Sequence, residues 1–360
     1  MAFVPGVDIM ENIEVDSFLW EWCRAHQERE DGSGHLHAAY LDCSKAYDSV
    51  PPWLTRAAMT SHKMPPEFVD LVVRLDDVEG GRRVVTECGL TARITFPGMA
   101  QGEVLSPKKF VVSQDPLVRW LSKYGRGKKV WMKWGGEVRQ VTVVSLHFCD
   151  DMVVYGQSLE DLQHNLGIIS EWCRATGMKL NGEKSAYLTT DASEGMVPAH
   201  SPTLDGKWEG GCDGNFIPST EEGPGHLRPR EWDEAVRTLG VQRAVSENNS
   251  KQEDLLMAEV GKFAETVKDK QVGREGLKTL INTVLIPKIE YPLRDAQQAN
   301  KGGKLIDKLD VKLRTVLKNS LGAVGSISTA YMYSEVGFGL DQLRTRLDGH
   351  WLSRLHHALL

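Results

Sequence analysis

Three aspartates, Asp42 and the adjacent pair Asp150 and Asp151, are the residues whose type and spacing point to chemistry in this 360-residue chain. Carboxylate oxygens are hard ligands for Mg²⁺. Two such ions about 4 Å apart drive in-line transfer at phosphorus, one activating the attacking hydroxyl and one carrying the leaving phosphates. Mg²⁺ keeps several waters and substrate oxygens, so two or three carboxylates suffice when different strands hold them rigidly. The apolar run HAAYLD (37–42) predicts a strand that ends on Asp42. The β-rich runs VSLHFC and MVVYG are separated only by Asp150 and Asp151, which predicts a tight hairpin turn carrying the pair. Taken alone, two aspartates in a turn describe an ordinary solvated turn, so the weight falls on the segments around them.

Those segments fall into regular elements. Residues 9–28 place Ile13, Val15, Phe18, Leu19 and Trp22 near helical spacing, and DGSG ends that helix. A helix is expected to begin around Pro51 and Pro52, just after the Asp42 strand. VWMKW and EVRQVTVV flank Gly135 and Gly136, the signature of a β-hairpin. Its tryptophans admit two readings, a base-stacking surface or a packed hairpin, and the second is favoured because aromatic residues on strands usually fill cores. Ser158 with Asp161 starts a helix whose apolar face is Leu159, Leu162, Leu166, Ile169 and Trp172, and Gly177 stops it. Residues 190–235 show no periodicity and read as an acidic loop or disordered insertion. From about residue 252 the pattern is that of amphipathic, basic helices, with a short helix closing the chain after Asp341.

Composition bounds the partners. Hydrophobic residues make up 41% of the chain and charged residues 26%, which argues against both wholesale disorder and a membrane protein. No run approaches the roughly 18 apolar residues of a membrane-spanning helix, and MAFVPGVDIMEN lacks the features of a secretion signal. An intracellular location, nucleus or cytoplasm, and no membrane partner are the expectation. The six cysteines are scattered without a CxxC pair, as expected of free thiols. A net charge of −6 weighs against a polyanionic partner, yet residues 189–235 alone hold ten acidic and three basic groups. Residues 251–320 carry fourteen basic and ten acidic groups, so a mildly basic region remains for a phosphate backbone.

Four segments in order, LDCSKAYDSV (41–50), FPGMAQGEVLSPKKF (96–110), LHFCDDMVVYG (146–156) and GMKLNGEKSAYL (177–188), closely resemble the successive palm motifs of reverse transcriptases. The resemblance is strongest to those of non-LTR (LINE-type) retrotransposons and more distant to those of group II introns. It extends to VRTLGV (236–241), IPKIEYPLR (286–294) and EVGFGL (335–340), which look like primer-grip and thumb segments. It implies an α+β fold, a right-hand polymerase palm with an antiparallel sheet, partial fingers and a helical thumb. The implied divisions are a fingers remnant (1–35), the palm with part of the fingers (36–189), the acidic insertion (190–235), a primer-grip-like segment (236–250) and a thumb-like domain (251–360).

The resemblance also implies roles. Asp42 and Asp150 would bridge two Mg²⁺ ions, Mn²⁺ being an alternative, with Asp151 a weaker ligand or electrostatic partner. Tyr47 stands where the family has an aromatic gate against a 2′-hydroxyl. Gln101 and Gly102 match its QG at the incoming nucleotide and template. Lys184 matches a lysine near the leaving pyrophosphate, with Lys179 a rival. The implied partners are an RNA template, a DNA primer and deoxynucleoside triphosphates, and the implied activity is RNA-directed DNA polymerisation.

Departures from the pattern define the alternatives. Cys149 replaces a usual alanine, a small-for-small change. Glu103 follows QG, where an acid would repel the triphosphate unless it points away. The family's fingers begin upstream of AFVPG, so the chain is expected to be a fragment that lacks the basic triphosphate clamp. A truncated, catalytically weak relative acting as an RNA- or protein-binding scaffold is therefore the second reading. A two-metal nuclease or phosphatase is the third, and it leaves Tyr47, Gln101 and Gly102 unexplained.

Overall fold

The alternation of side chains along the strand that carries Asp42 sets the architecture of the first of two units, Met1–Leu239 and Gly240–Leu360. The computed structural model describes residues 9–27, 33–76, 83, 85–93, 98–99, 103–134, 136–182, 184–191, 216–217, 227, 230–246, 248–268, 270, 272–295, 304–320 and 327–359. In chain order the first unit contains α1 (Ile9–Ala25), β1 (His37–Ser44), α2 (Ala46–Ser49), α3 (Pro52–Ser61), α4 (Pro66–Asp76), β2 (Val85–Thr86) and β3 (Gly89–Leu90). It continues through α5 (Ser106–Tyr124), β4 (Lys128–Trp134), β5 (Glu137–Val143), β6 (Ser145–Phe148), β7 (Asp151–Gly156) and α6 (Leu159–Thr176). Strands β8 (Lys179–Asn181), β9 (Ala186–Thr189), β10 (Phe216–Ile217) and β11 (Val236–Thr238) complete it.

The central sheet runs β10-β8-β1-β7-β6, with β9 also paired to β1. It is antiparallel except for β10 beside β8. On one side Ala39 and Leu41 of β1 and Met152 and Val154 of β7 pack with Phe110, Leu117, Leu121, Leu162, Leu166 and Ile169 of α5 and α6. The apolar stripe predicted for α6 is thus its buried face. The capping is also as predicted: Ser158 accepts from the Asp161 N–H, and Gly177 ends the helix at φ 74°. On the other side the buried Asp16 of α1 accepts hydrogen bonds from Tyr40 at 2.9 Å and Tyr155 at 2.7 Å. Trp20 Nε1 donates to the Tyr40 hydroxyl at 2.9 Å. A buried carboxylate is tolerated here because two phenols supply the partners that water would otherwise give.

Two expectations change in this unit. The β4–β5 hairpin forms around Gly136, but it is not packed: Trp131 is 42% exposed, Met132 39% and Val138 68%. Only its base is anchored, by Val130 and by the buried Lys128, whose ammonium donates to the carbonyls of Ser33 and His35. β propensity is local, whereas burial needs a neighbouring element, and the described residues place none over the hairpin's outer part. The predicted insertion 190–235 lies mostly outside the described residues. Within it, however, Phe216–Ile217 form a strand, Leu227 joins the main core, and the Arg230 N–H donates to the Tyr187 carbonyl at 3.0 Å.

The second unit holds β12 (Val241–Arg243), α7 (Ser250–Lys268), α8 (Arg274–Leu280), a π-turn over Ile281–Leu285, α9 (Ile286–Leu293), α10 (Lys304–Ser320), α11 (Thr329–Tyr333) and α12 (Leu343–Leu359). The closing helix is therefore 17 residues long rather than short. Pro287 accounts for the π-turn. It has no N–H to give to Thr283, so the ladder widens and the Ile286 N–H reaches Ile281 instead. Asn282 in that turn ties down EVGFGL, donating to the Gly339 carbonyl at 2.9 Å and accepting from the Asp341 N–H at 3.1 Å. The buried Glu290 accepts from Arg294 at 3.0 Å and Arg346 at 2.8 Å. Burial opposes its charge, but these two guanidinium bonds prevail and hold its carboxyl below the ordinary range. Among the described residues no helix is long and apolar enough to cross a membrane.

Candidate active site

The register of two strand pairs brings the aspartates together. Phe148 faces Asp151 across β6 and β7, which leaves Cys149 and Asp150 as the two central residues of the turn. Cys149 has φ 54°, the left-handed value that a type II′ hairpin needs at its first central position. Asp150 thus sits in the turn, while Asp151 is the first residue of β7 rather than a turn residue. Across β1, Asp42 is the direct partner of Asp151, so their side chains emerge on the same face of the sheet. Desolvation raises the Asp42 carboxyl above its usual value, Lys184 opposes that, and Asp150 adds to it. Asp151 is pushed up to about 6, first by desolvation and then by Asp150 and Asp42, against the pull of Arg237.

Asp42 and Asp151, whose charge is opposed by burial and by the neighbouring Asp150, form with it a donor set suited to a hard divalent cation. Among the described residues no three His, Cys, Asp or Glu side chains converge closely enough to hold a metal ion. An open set of this kind fits an ion that takes the rest of its ligands from water and substrate oxygens.

Lys184 lies in the turn between β8 and β9, and its ammonium favours the charged Asp42. Ser185 fixes that turn to β1, accepting from the Asp42 N–H at 3.2 Å and donating to the Asn181 carbonyl at 2.7 Å. Lys179, the rival, is exposed and pairs in register with Ser44.

Tyr47 in α2 stacks on Phe110 with centroids 4.7 Å apart. Burial first, then Cys149 beside it, pushes its hydroxyl up to about 12, and the two side chains share a hydrogen bond. The Tyr47 carbonyl accepts from the Met99 N–H at 2.8 Å. At the adjacent Gly98 a Cβ would come within 2.4 Å of that same oxygen, so only glycine lets this segment lie against Tyr47. Gln101 and Gly102 lie outside the described residues. The expected repulsion from Glu103 does not arise, because its carboxylate accepts from the buried Lys109 at 3.0 Å and from Ser106 at 3.1 Å.

Three contributors went unread in the sequence: Arg237, which favours the charged Asp151, Phe110 beneath Tyr47, and the thiol of Cys149. The only signal for Arg237 was its place in VRTLGV, a segment singled out as a whole.

The family model described as "Reverse transcriptase (RNA-dependent DNA polymerase)" matches residues 2–242. Over 151 residues, 42% of this chain, the sequence is 28% identical to the retrovirus-related Pol polyprotein from type-1 retrotransposable element R2 of Bradysia coprophila. Over 155 residues it is 29% identical to the corresponding polyprotein from type-2 retrotransposable element R2DM of Drosophila melanogaster. These matches span only 16% and 14% of the two relatives' lengths. Among solved structures, apo telomerase from Candida Tropicalis covers 88% of this chain and 45% of its own, at 11% identity and a TM-score of 0.36, too slight a likeness to carry the fold.

Proposed function

Because this chain belongs to the reverse transcriptase (RNA-dependent DNA polymerase) family, we propose that it extends a DNA primer on an RNA template at the site built on Asp42, Asp150 and Asp151. The similarity to R2 polyproteins agrees with the non-LTR resemblance of its motifs. In this reading residues 36–189 are the palm with part of the fingers, 1–35 a fingers remnant, 236–250 the primer-grip-like segment and 251–360 the thumb. One observation carries the reading: Asp42 and Asp151 are cross-strand partners beside the Cys149–Asp150 turn, within the matched segment.

Two divalent ions, when bound, would supply activation of the primer hydroxyl and neutralisation of the departing pyrophosphate. Asp42 and Asp150 would hold them, with Asp151 contributing from β7. Lys184 would stand at the leaving group, where an ammonium neutralises charge or donates a proton. Tyr47, fixed from below by Phe110 and at its hydroxyl by Cys149, would lie under the sugar and exclude a 2′-hydroxyl by contact. Gln101 and Gly102 would bear on the incoming nucleotide and template.

Primer extension on an RNA template with Mg²⁺ and deoxynucleotides tests this. Asp150→Ala removes an interaction worth several kcal/mol in the transition state, so extension falls by roughly a thousandfold or more. Extension that survives the substitution in a normally folded protein sinks the reading.

The alternative is a scaffold that binds RNA without turnover. Salt-dependent RNA binding with no incorporation, even when an upstream fingers segment is supplied, would establish it. Phosphodiester hydrolysis independent of deoxynucleotides would instead revive a nuclease.

A further inference from the structure

The β4–β5 hairpin stands outside the site just described and presents a face that the polymerase reading does not use. Register places Lys129 opposite Thr142 and Trp131 opposite Gln140, so these four side chains share one face. All four are exposed. Residues 128–143 carry four basic groups and one acid in a chain whose net charge is −6. Of the basic groups, Lys128 is consumed in anchoring the base and Arg139 pairs with Glu137 at 3.0 Å. Lys129 beside Trp131 lies on the outward face, which register continues through Lys133 opposite the exposed Val138.

An exposed indole next to an ammonium, with an amide and a hydroxyl across the strand, is poorly explained as a solvated surface. Leaving a tryptophan in water on an edge hairpin forgoes burial and invites unwanted pairing. The same chemistry matches an unpaired polynucleotide: the ring stacks on a base, the ammonium meets the phosphate, and the polar groups meet sugar or base edges. Seven-residue strands make an arm about 23 Å long at ~3.3 Å per residue. Only Val144 separates this arm from the hairpin that carries Asp150. We infer that the Lys129, Trp131, Gln140 and Thr142 face of this hairpin is a docking surface for single-stranded RNA, separate from the aspartate site. The choice of RNA rests on the polymerase reading, which makes RNA the template.

The test uses the full chain and a labelled, unstructured pyrimidine RNA of about 16 nucleotides, followed by fluorescence anisotropy across a salt series. Trp131→Ala is expected to weaken binding about tenfold, and Trp131→Phe, which keeps a ring, to recover most of the loss. Lys129→Gln is expected to lower the slope of log affinity against log salt by about 0.7. Ultraviolet cross-linking should attach the RNA to the peptide spanning 128–143. Trp131→Ala and Lys129→Gln should extend a saturating, pre-annealed primer–template at the parent rate, so loss of RNA docking is separable from failure of the aspartate site. Unchanged affinity in Trp131→Ala together with an unchanged salt slope in Lys129→Gln overturns the inference, as does tighter binding of the matching DNA. A change in self-association without a change in RNA affinity overturns it in favour of a protein interface. Far-UV circular dichroism matching the parent confirms folding, and if Trp131→Ala fails that check, Trp131→Phe, Lys129→Gln and the cross-link decide.

Discussion

Two hairpins follow one another directly in this chain, and they put the same local grammar to opposite uses. Each joins two antiparallel strands through a short turn with a positive-φ residue, Gly136 at φ 87° in β4–β5 and Cys149 at φ 54° in β6–β7. The second is enclosed along one strand: Met152 to Gly156 are all buried between β1, α1 and α6, Ser145 to Phe148 are half-buried, and Asp150 and Asp151 at the tip are exposed. The first is enclosed at its base alone. Turn chemistry and β propensity make a hairpin, whereas neighbours decide whether it becomes part of a core. A charged tip on a buried hairpin gives rigidly held carboxylates, and an exposed hairpin offers its faces instead.

The largest effect that separates them is methionine removal. Met152 in β7 is 6% exposed and lies in the main core, whereas Met132 in β4 is 39% exposed. Met152→Ala is expected to cost about 3 kcal/mol through lost burial and the cavity left behind. Met132→Ala should stay within about 0.5 kcal/mol. Urea midpoints measure both, and equal losses would show that β4–β5 is covered after all.

Glycine replacement comes next. A Cβ on Gly156 would approach the Leu162 nitrogen to 2.5 Å and the Ser158 oxygen to 2.8 Å, at the start of α6. Gly156→Ala must therefore displace the helix start, at a cost of about 2 kcal/mol. A Cβ on Gly136 meets nothing within 4 Å, so only its left-handed backbone resists. About 1 kcal/mol is expected there. Thermal unfolding of the two variants distinguishes packing from backbone strain, and a larger loss at Gly136 contradicts the description of a free tip.

The contrast also marks what could be read from sequence. Ser158, Asp161 and Gly177 announced α6 because caps act within a few residues. The runs on either side of Asp150 and Asp151 announced their hairpin for the same reason. Which aspartate occupies the turn was not legible, since the pairing of Phe148 with Asp151 settles it and register depends on both strands. Nor was the pairing of Glu103 with Lys109, which needs the fold of the segment before α5. Arg237 acts on Asp151 from far along the chain, a link that only tertiary structure makes. The tryptophan hairpin was misjudged because strand propensity carries no information about what lies opposite.

The smallest effect is the most pointed. The exposed hairpin uses glycine at its positive-φ position, and the aspartate hairpin uses cysteine, a residue that strains there. Cys149→Gly relieves that strain, worth roughly 1 kcal/mol, while the freer glycine returns part of the gain to the unfolded chain. The net expected is a stabilisation of under about 1 kcal/mol, read from the urea midpoint. A clear destabilisation would mean that the hydrogen bond between Cys149 and Tyr47 outweighs the backbone strain. Stability is only half of the measurement. If Tyr47 is the gate against a 2′-hydroxyl, removing the thiol frees its ring at one end while Phe110 still holds it from below. Discrimination between deoxynucleotides and ribonucleotides should then fall, in a turn that has become more stable. Improved stability with unchanged discrimination would leave Phe110 as the sole anchor of Tyr47, and the cysteine with no role that glycine could not fill.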